Sequence, residues 1–367
     1  MAHDPGPGLP NDDSRLLEEA ERVVSERREA GLEGMVGGLE FVVINAEPEG
    51  QEAAAAELLS STGLSCVAAH ECARFREYVL QTDGSADVVV RSRRVGPNPF
   101  AEMNDRPNTR RLPNTRLETL CFRVTDLSRY AEIQRKRGVR FLEDEIEDNE
   151  LYRFIQTTPS RYTGNSTGFV EWKVAGRAYS HRGCRPLPPL QKPELPYLKN
   201  IGRLDHIATR VTAADRDPAI LEFMSLTNYR FDFAVYVEQL NSITNVARLS
   251  PSDFALVFTS GIAAPSIGSP PGPTERFVEL YGPRVHHMAF DTGSIEETCS
   301  SLERDGMRYL VELVGSPEEG LKQTFTVPFA HTMLVNEYIH RYGDFAGFFA
   351  KSNVTLLTAA SGKAYGD

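Results

Sequence analysis

The sequence predicts an α+β fold of two tandem halves, each an open barrel of mixed strands made from paired β-α-β-β-β modules. Three observations carry this. From Gly38 onward, short strand-like apolar stretches alternate with single amphipathic helices. That order of elements then runs a second time. The segment LETLCFRVTDLSRYAEIQRKRGVRFL matches VHHMAFDTGSIEETCSSLERDGMRYL in strand, helix, glycine and strand, which marks an internal duplication. Between the two runs, Ala178 to Asn200 carries RPLPPLQKPELP. Proline fixes φ and removes a donor, so this stretch reads as a semi-rigid linker.

The boundaries follow: residues 1–37 as tail and helix, 38–177 as a metal-free half, 178–200 as linker, and 201–367 as the metal-binding half. Met1 to Asp13 is polar and rich in Pro and Gly without an apolar signal core, and reads as a disordered tail. Asp13 to Ala30 places Leu16, Leu17, Ala20, Val23 and Val24 at helical spacing between charges. In the first half, strands are expected at Leu39–Ile44, Cys66–Ala69, Glu77–Gln81, Asp87–Arg93, Leu117–Val124, Leu151–Thr157 and Thr167–Val174. Helices fall at Glu49–Thr62, stopped by Gly63, and at Leu127–Arg137, stopped by Gly138. In the second half, strands are expected at Leu204–Val211, Asp232–Val237, Val246–Leu249, Phe254–Ser260, Val285–Asp291, Leu321–Val327 and Thr332–His340. Its helices are Asp217–Leu226 and Ile295–Asp305.

Composition bounds the partners. The 367 residues carry a formal net charge of -11, which argues against a nucleic-acid surface. No apolar run reaches membrane-spanning length. The five cysteines, Cys66, Cys72, Cys121, Cys184 and Cys299, form no CxxC pair and read as reduced thiols of a cytoplasmic protein. No phosphate loop, nucleophile elbow or dinucleotide fingerprint is present in the sequence.

His206 in LDHIAT, His287 in RVHHMAF and Glu337 in MLVNEYIHR lie on strands that are equivalent between modules. Side chains alternate faces along a strand, so each strand can send one ligand inward. Two histidines and a carboxylate on one side of a metal suit Fe(II) and leave positions open for substrate and dioxygen. The same donors accept Mn, Co, Ni or Zn. Aligning the repeats puts Glu40, Thr119 and Glu171 at the equivalent positions of the first half, which therefore lacks the set. His206, Ala208 and Arg210 share one strand face, so the Arg210 guanidinium points toward the metal side and suits a carboxylate. His340 is read as structural, His331 as a strand-edge residue and His70 as carrying no site. The PNTR repeat, Pro107–Arg110 and Pro113–Arg116, is read as a solvated loop, with contact to the other half as the alternative.

These segments resemble the vicinal oxygen chelate (glyoxalase-like) superfamily, and within it the 4-hydroxyphenylpyruvate dioxygenase and hydroxymandelate synthase group. The resemblance spans Gly38 to Ala359: LDHI and VHHMAF as ligand strands, QTFTVP with LVNEYIHR as the C-terminal signature, DFAGFF at Asp344–Phe349, and GPNPFAEMND in the first half. It implies a mononuclear Fe(II) enzyme that chelates a 2-oxo acid, takes dioxygen as co-substrate, decarboxylates the acid and oxidises the same molecule. It further implies a terminal helix closing over the site, Phe325 and Phe345 as an aromatic pair around the substrate (with Phe348 or Phe349 sharing the role), and Ser242 as a polar contact. Three departures stand out. TERFVELY, taken as a strand, carries Arg276 near a position where the group has glutamine. His286 replaces another glutamine, and the segment from Leu310 to Gln323 is short. The expected substrate is thus a polar, anionic small molecule other than 4-hydroxyphenylpyruvate. A metal-dependent lyase or isomerase and a small-molecule-sequestering protein are the competing readings, and exposed strand edges make a homo-oligomer plausible.

Overall fold

The computed structural model describes residues 10–266, 271–343, 345 and 347–365. Most of the expected tail, residues 1–9, lies outside the described residues, as do Asp344 and Ala346 of the DFAGFF segment.

Helix α1 (Asp13–Glu29) starts where Asp12 caps it, accepting from the Ser14 N–H at 2.8 Å. Strand β1 (Val36–Asn45) leads into α2 (Gln51–Ser61), then β2 (Ser65–Glu71), β3 (Phe75–Gln81), β4 (Asp87–Arg93) and β5 (Arg116–Val124). Next come α3 (Leu127–Lys136), β6 (Glu147–Asp148), β7 (Tyr152–Gln156), β8 (Ser166–Trp172) and the short β9 (Arg185–Pro186). They form one mixed sheet in the order β6-β7-β8-β5-β1-β4-β3-β2-β9. Just past the end of α2, only glycine fits at Gly63, since a Cβ there would collide with the Ile201 carbonyl.

The second half repeats the plan with β10 (Ile201–Arg210), α4 (Arg216–Leu226), β11 (Arg230–Val237), β12 (Ser242–Arg248), β13 (Ala255–Ser260), α5 (Pro273–Tyr281), β14 (Arg284–Thr292) and α6 (Ile295–Arg304). It ends with β15 (Val314–Ser316), β16 (Leu321–Phe325), β17 (Val335–Arg341) and α7 (Lys351–Tyr365). The sheet order is β11-β12-β13-β10-β14-β17-β16-β15. Two mixed sheets with helices segregated outside them make this the expected α+β class.

Register fixes how the halves correspond. β1 and β10 each run antiparallel to the strand opening the next module and parallel to the strand before it. His206 faces Ala289, and Phe41 faces Cys121 at the same rung; Ala208 faces His287, and Val43 faces Thr119. Ala289 pairs with Glu337, and Cys121 with Gly168. The first-half equivalents of the three candidate ligands are therefore Phe41, Thr119 and Gly168. Aligning by sequence slipped on β1 and β8, where it picked Glu40 and Glu171. A one-residue slip along a strand exchanges its two faces.

The helix before β1 packs on the other half. Arg27 is fully buried and its Nη1 donates to the carbonyls of Met224, Thr227 and Tyr229 at 2.8–2.9 Å, capping the end of α4. The proline-rich linker is not free: β9 pairs with β2, and the Lys192 ammonium donates to the carbonyls of Thr62 and Leu64. Three expectations are corrected here. TERFVELY forms the N-terminal Pro-led helix α5, not a strand. Arg116, the end of the second PNTR, is fully buried and donates to the Pro283 carbonyl of the other half, so this repeat is not a solvated loop throughout. Cys72 and Cys184 are joined in a disulfide across a sequence separation of 112, with Cα atoms 4.3 Å apart, so these two are not reduced thiols. Pairing of β9 with β2 brings them together, while Cys66, Cys121 and Cys299 stay free. Among the described residues, no helix is long and apolar enough to cross a membrane.

Candidate metal centre

Three neighbouring strands, β10, β14 and β17, each contribute one buried donor residue. One atom each from His206, His287 and Glu337 lies within 4.8 Å of the other two. Glu337 Oε2 sits 3.1 Å from His206 Nε2 and 3.2 Å from His287 Nε2. Both imidazoles thus present Nε2 to the same carboxylate oxygen, and a cation placed among them would replace that shared contact.

The second atom of every donor is already held, the arrangement that orients metal ligands. His206 Nδ1 lies 2.8 Å from Asp205 Oδ2, and Asp205 is held by Arg341 at 2.7 Å. With Asp205 ionised, Nδ1 keeps its proton, so the proton that a metal would displace is the one on Nε2. Glu337 Oε1 accepts from the Gln323 amide, whose oxygen accepts from Asn353 Nδ2 on α7 at 3.0 Å. His287 Nδ1 faces His286 Nδ1 at 2.8 Å, and His286 Nε2 reaches the Tyr365 hydroxyl at 3.0 Å. His286 is thus the outer partner of His287, a position that its spacing in the sequence did not reveal.

Electrostatics follow from burial and these partners. Burial opposes charge on His206, yet Glu337 and Asp205 hold its pKa up at about 9. Burial would raise the Glu337 carboxyl, but His206 and His287 keep it at about 2. Burial pushes His287 down, and the positive charges of His206 and Arg210 add to this against the pull of Glu337. His286 is driven well below the usual histidine range by burial, with Arg210 and His287 adding to the effect, so it is neutral.

A cavity of about 40 Å³ adjoins the donors. Its walls bear the hydroxyls of Ser242, Thr244, Thr259, Thr274 and Ser361 beside Phe325 and Phe349. Residues Val354, Leu357 and Ser361 of α7 cover it. Arg210 lines the cavity from β10; its guanidinium lies over the rings of Phe277 (4.7 Å) and Tyr365 (5.5 Å), and its Nη1 has no partner. Burial lowers its pKa to about 10, which leaves it cationic at neutral pH. An unsatisfied buried N–H costs about 1–3 kcal/mol, a penalty that a bound anion removes.

The other expected residues divide. Ser242 lines the cavity at the start of β12. Phe325 packs on His287 with centroids 4.7 Å apart, while Phe348 and Phe349 lie 5.5 and 5.2 Å from His206. Phe345 instead packs against Ala289, Leu321 and Ile339 outside the cavity lining, so Phe349 stands where Phe345 was expected. Arg276 points to solvent on α5 and pairs with Glu279 at 2.7 Å; helical geometry, not strand alternation, governs its direction. His340 bonds the Thr292 carbonyl, and exposed His331 bonds Glu57 through its backbone, both away from the donors.

No family model and no curated protein matches the chain. Solved structures do. A triple mutant of 4-hydroxymandelate synthase from Streptomyces coelicolor matches over 90% of this chain and 99% of its own, with TM-score 0.66 and 16% identity. A xylose isomerase-like TIM barrel/4-hydroxyphenylpyruvate dioxygenase fusion protein matches over 95% of this chain with TM-score 0.63 and 16% identity; this chain spans 57% of it. At such identity the likeness speaks to architecture, and the chain accordingly has the vicinal-oxygen-chelate type of fold.

Proposed function

We propose that this protein is a mononuclear non-heme Fe(II) dioxygenase acting on a 2-oxo acid, or a related chelating small molecule, that carries a second anionic group and is not 4-hydroxyphenylpyruvate. The observation that carries this reading is the convergence of His206, His287 and Glu337, each with its far atom already held. That donor set fits iron, leaves part of the coordination sphere open, and lies in a covered cavity. Bound iron would supply the site for chelation and for activating dioxygen. The chain's own residues supply the rest. Arg210 with Ser242 and Thr244 would take the substrate's distal anionic group. Phe325 and Phe349 would pack on its body, and α7 would exclude water.

The test is dioxygen consumption by anaerobically purified, Fe(II)-loaded protein against a panel of 2-oxo acids that includes 2-oxo diacids. Uptake coupled to carbon dioxide release, highest for diacids and absent in Glu337→Ala, is expected. Stoichiometric metal without uptake would move the assignment to a metal-dependent lyase or isomerase. One feature favours that second reading: the His287–His286–Tyr365 hydrogen-bonded chain can carry a proton without redox chemistry.

A further inference from the structure

A second donor cluster lies in the first half, where the residue His70 was expected to carry no site. His70 sits on β2 with a side chain 1% exposed. Its Nε2 is 3.0 Å from Glu77 Oε2, and its Nδ1 has no partner. One His70 ring nitrogen and the sulfurs of Cys72 and Cys184 lie within 4.8 Å of one another. Because Glu77 occupies Nε2, the nitrogen left for a ligand is Nδ1.

Glu77 is itself paired with Arg91 at 2.6 Å, which fixes its carboxylate against the His70 ring. His70 meets Glu77 through Nε2 and leaves Nδ1 as the unpartnered nitrogen in a dry setting. A buried polar nitrogen without a partner is a defect unless something occupies it. Carboxylate, histidine and an empty coordinating nitrogen form the outer half of a metal site, and two sulfurs supply the inner half. Both cysteines are half-buried and so open to reagents from solution.

We propose that the first half carries a redox-gated site for a thiophilic divalent cation, with His70 Nδ1, Cys72 Sγ and Cys184 Sγ as ligands and Glu77 as the residue that orients His70. While the sulfurs are bonded to each other, the site is closed. A dithiol reductant opens it: the sulfur–sulfur bond takes two electrons and two protons to give two thiols, and the reductant leaves as its own disulfide. The cation then displaces both thiol protons to solvent and binds the two thiolates and Nδ1, with water in the fourth position. Cys72 is tied to the β2–β3 turn through its N–H on the Phe75 carbonyl at 2.8 Å, so the sulfurs part by movement of the 181–184 turn. This site is independent of the iron assignment.

Cobalt(II) provides the probe, because thiolate ligation produces a near-ultraviolet charge-transfer band that a histidine-carboxylate centre cannot. Full-length protein reduced with a dithiol, then desalted anaerobically, is expected to develop this band and saturate it within two equivalents, since the His206, His287 and Glu337 donors also take cobalt. Oxidised protein is expected to show none. Cys184→Ser and Cys72→Ser should each abolish the band, Cys66→Ser should retain it, and Glu77→Gln should weaken cobalt binding about 10- to 100-fold. A reduced protein with native circular dichroism and no thiolate band would overturn the proposal, as would a band that survives in Cys184→Ser. If Glu77→Gln unfolds, the Cys184→Ser comparison decides alone.

Discussion

The two halves share one ladder and differ in what stands on it. In the second half, the rungs at His206, His287 and Glu337 face a cavity walled by Thr244 and Thr259. In the first half, the same rungs carry Phe41, Thr119 and Gly168. The positions of Thr244 and Thr259 are taken by Glu77 and Arg91, which pair at 2.6 Å. Phe154, Trp172 and Tyr179 close around Phe41, the last at 5.4 Å edge-on. One scaffold thus keeps a small cavity in each half, about 40 Å³ beside the donors and about 30 Å³ among Phe41, Trp172 and Tyr179, with opposite chemistry on the walls. The strands fix where a side chain stands, and the chemistry of that side chain decides what the cavity can hold.

Four experiments break or sharpen this contrast. His287→Ala should lower metal affinity by more than about 100-fold, beyond the effect of removing an outer partner. Equilibrium dialysis checks this, and unchanged affinity would dissolve the asymmetry between the halves. Transplanting the donors as Phe41→His, Thr119→His and Gly168→Glu should create no metal site. Loss of the Phe41 ring costs about 3–5 kcal/mol, and a Cβ at Gly168 would meet the Phe154 ring at 3.1 Å. Stoichiometric binding by this variant with His206 and His287 also removed would show that packing is no barrier. Asp205→Asn should keep the fold and weaken metal binding about 10- to 100-fold, since it frees the His206 ring. An affinity within experimental error of the parent would remove Asp205 from the assignment.

The smallest effect is a pH slope. His206 in the metal-free protein has its pKa raised from 6.5 to about 9. A raised histidine pKa means that protonation stabilises the folded metal-free protein fully below 6.5, and this contribution disappears as pH rises through 9. The metal must displace that proton, so apparent affinity should climb about tenfold per pH unit across this window. Titration calorimetry in several buffers reads both the slope and the released proton. A flat profile would mean that Glu337 and Asp205 do not share a proton with His206.

Much of this was legible in the sequence because β-strand periodicity and the duplication are local patterns. Strand positions and the three donors could be read from spacing. What escaped depends on partners distant in the chain. Arg276 needed the knowledge that Pro273 starts a helix, and the aromatic residue beside Phe325 at the cavity is Phe349, four positions beyond the expected Phe345. Glu40 and Glu171 were taken as the first-half equivalents, in place of Phe41 and Gly168, because a sequence alignment carries no register. Cys72 and Cys184 showed no spacing signal at all, since only the return of β9 onto β2 joins them. His286 was visible as a substitution, but its bond to Tyr365 at the far end of the chain was not.

The docking of α1 sets a timetable for the nascent chain. Its buried Arg27 finds its acceptors 197 or more residues downstream. At a synthesis rate of about 5–20 residues per second, the helix emerges roughly 10–40 s before the turn that receives it. Through that interval the apolar stripe of Leu16, Ala20, Val23 and Val24 has no partner. The first half can close its own sheet during that wait, but its leading helix holds to that half at Glu26 through Arg137 while its apolar stripe waits for the second half. A ribosome paused between the halves would therefore hold out a sticky amphipathic helix, and this is where a chaperone would engage the chain.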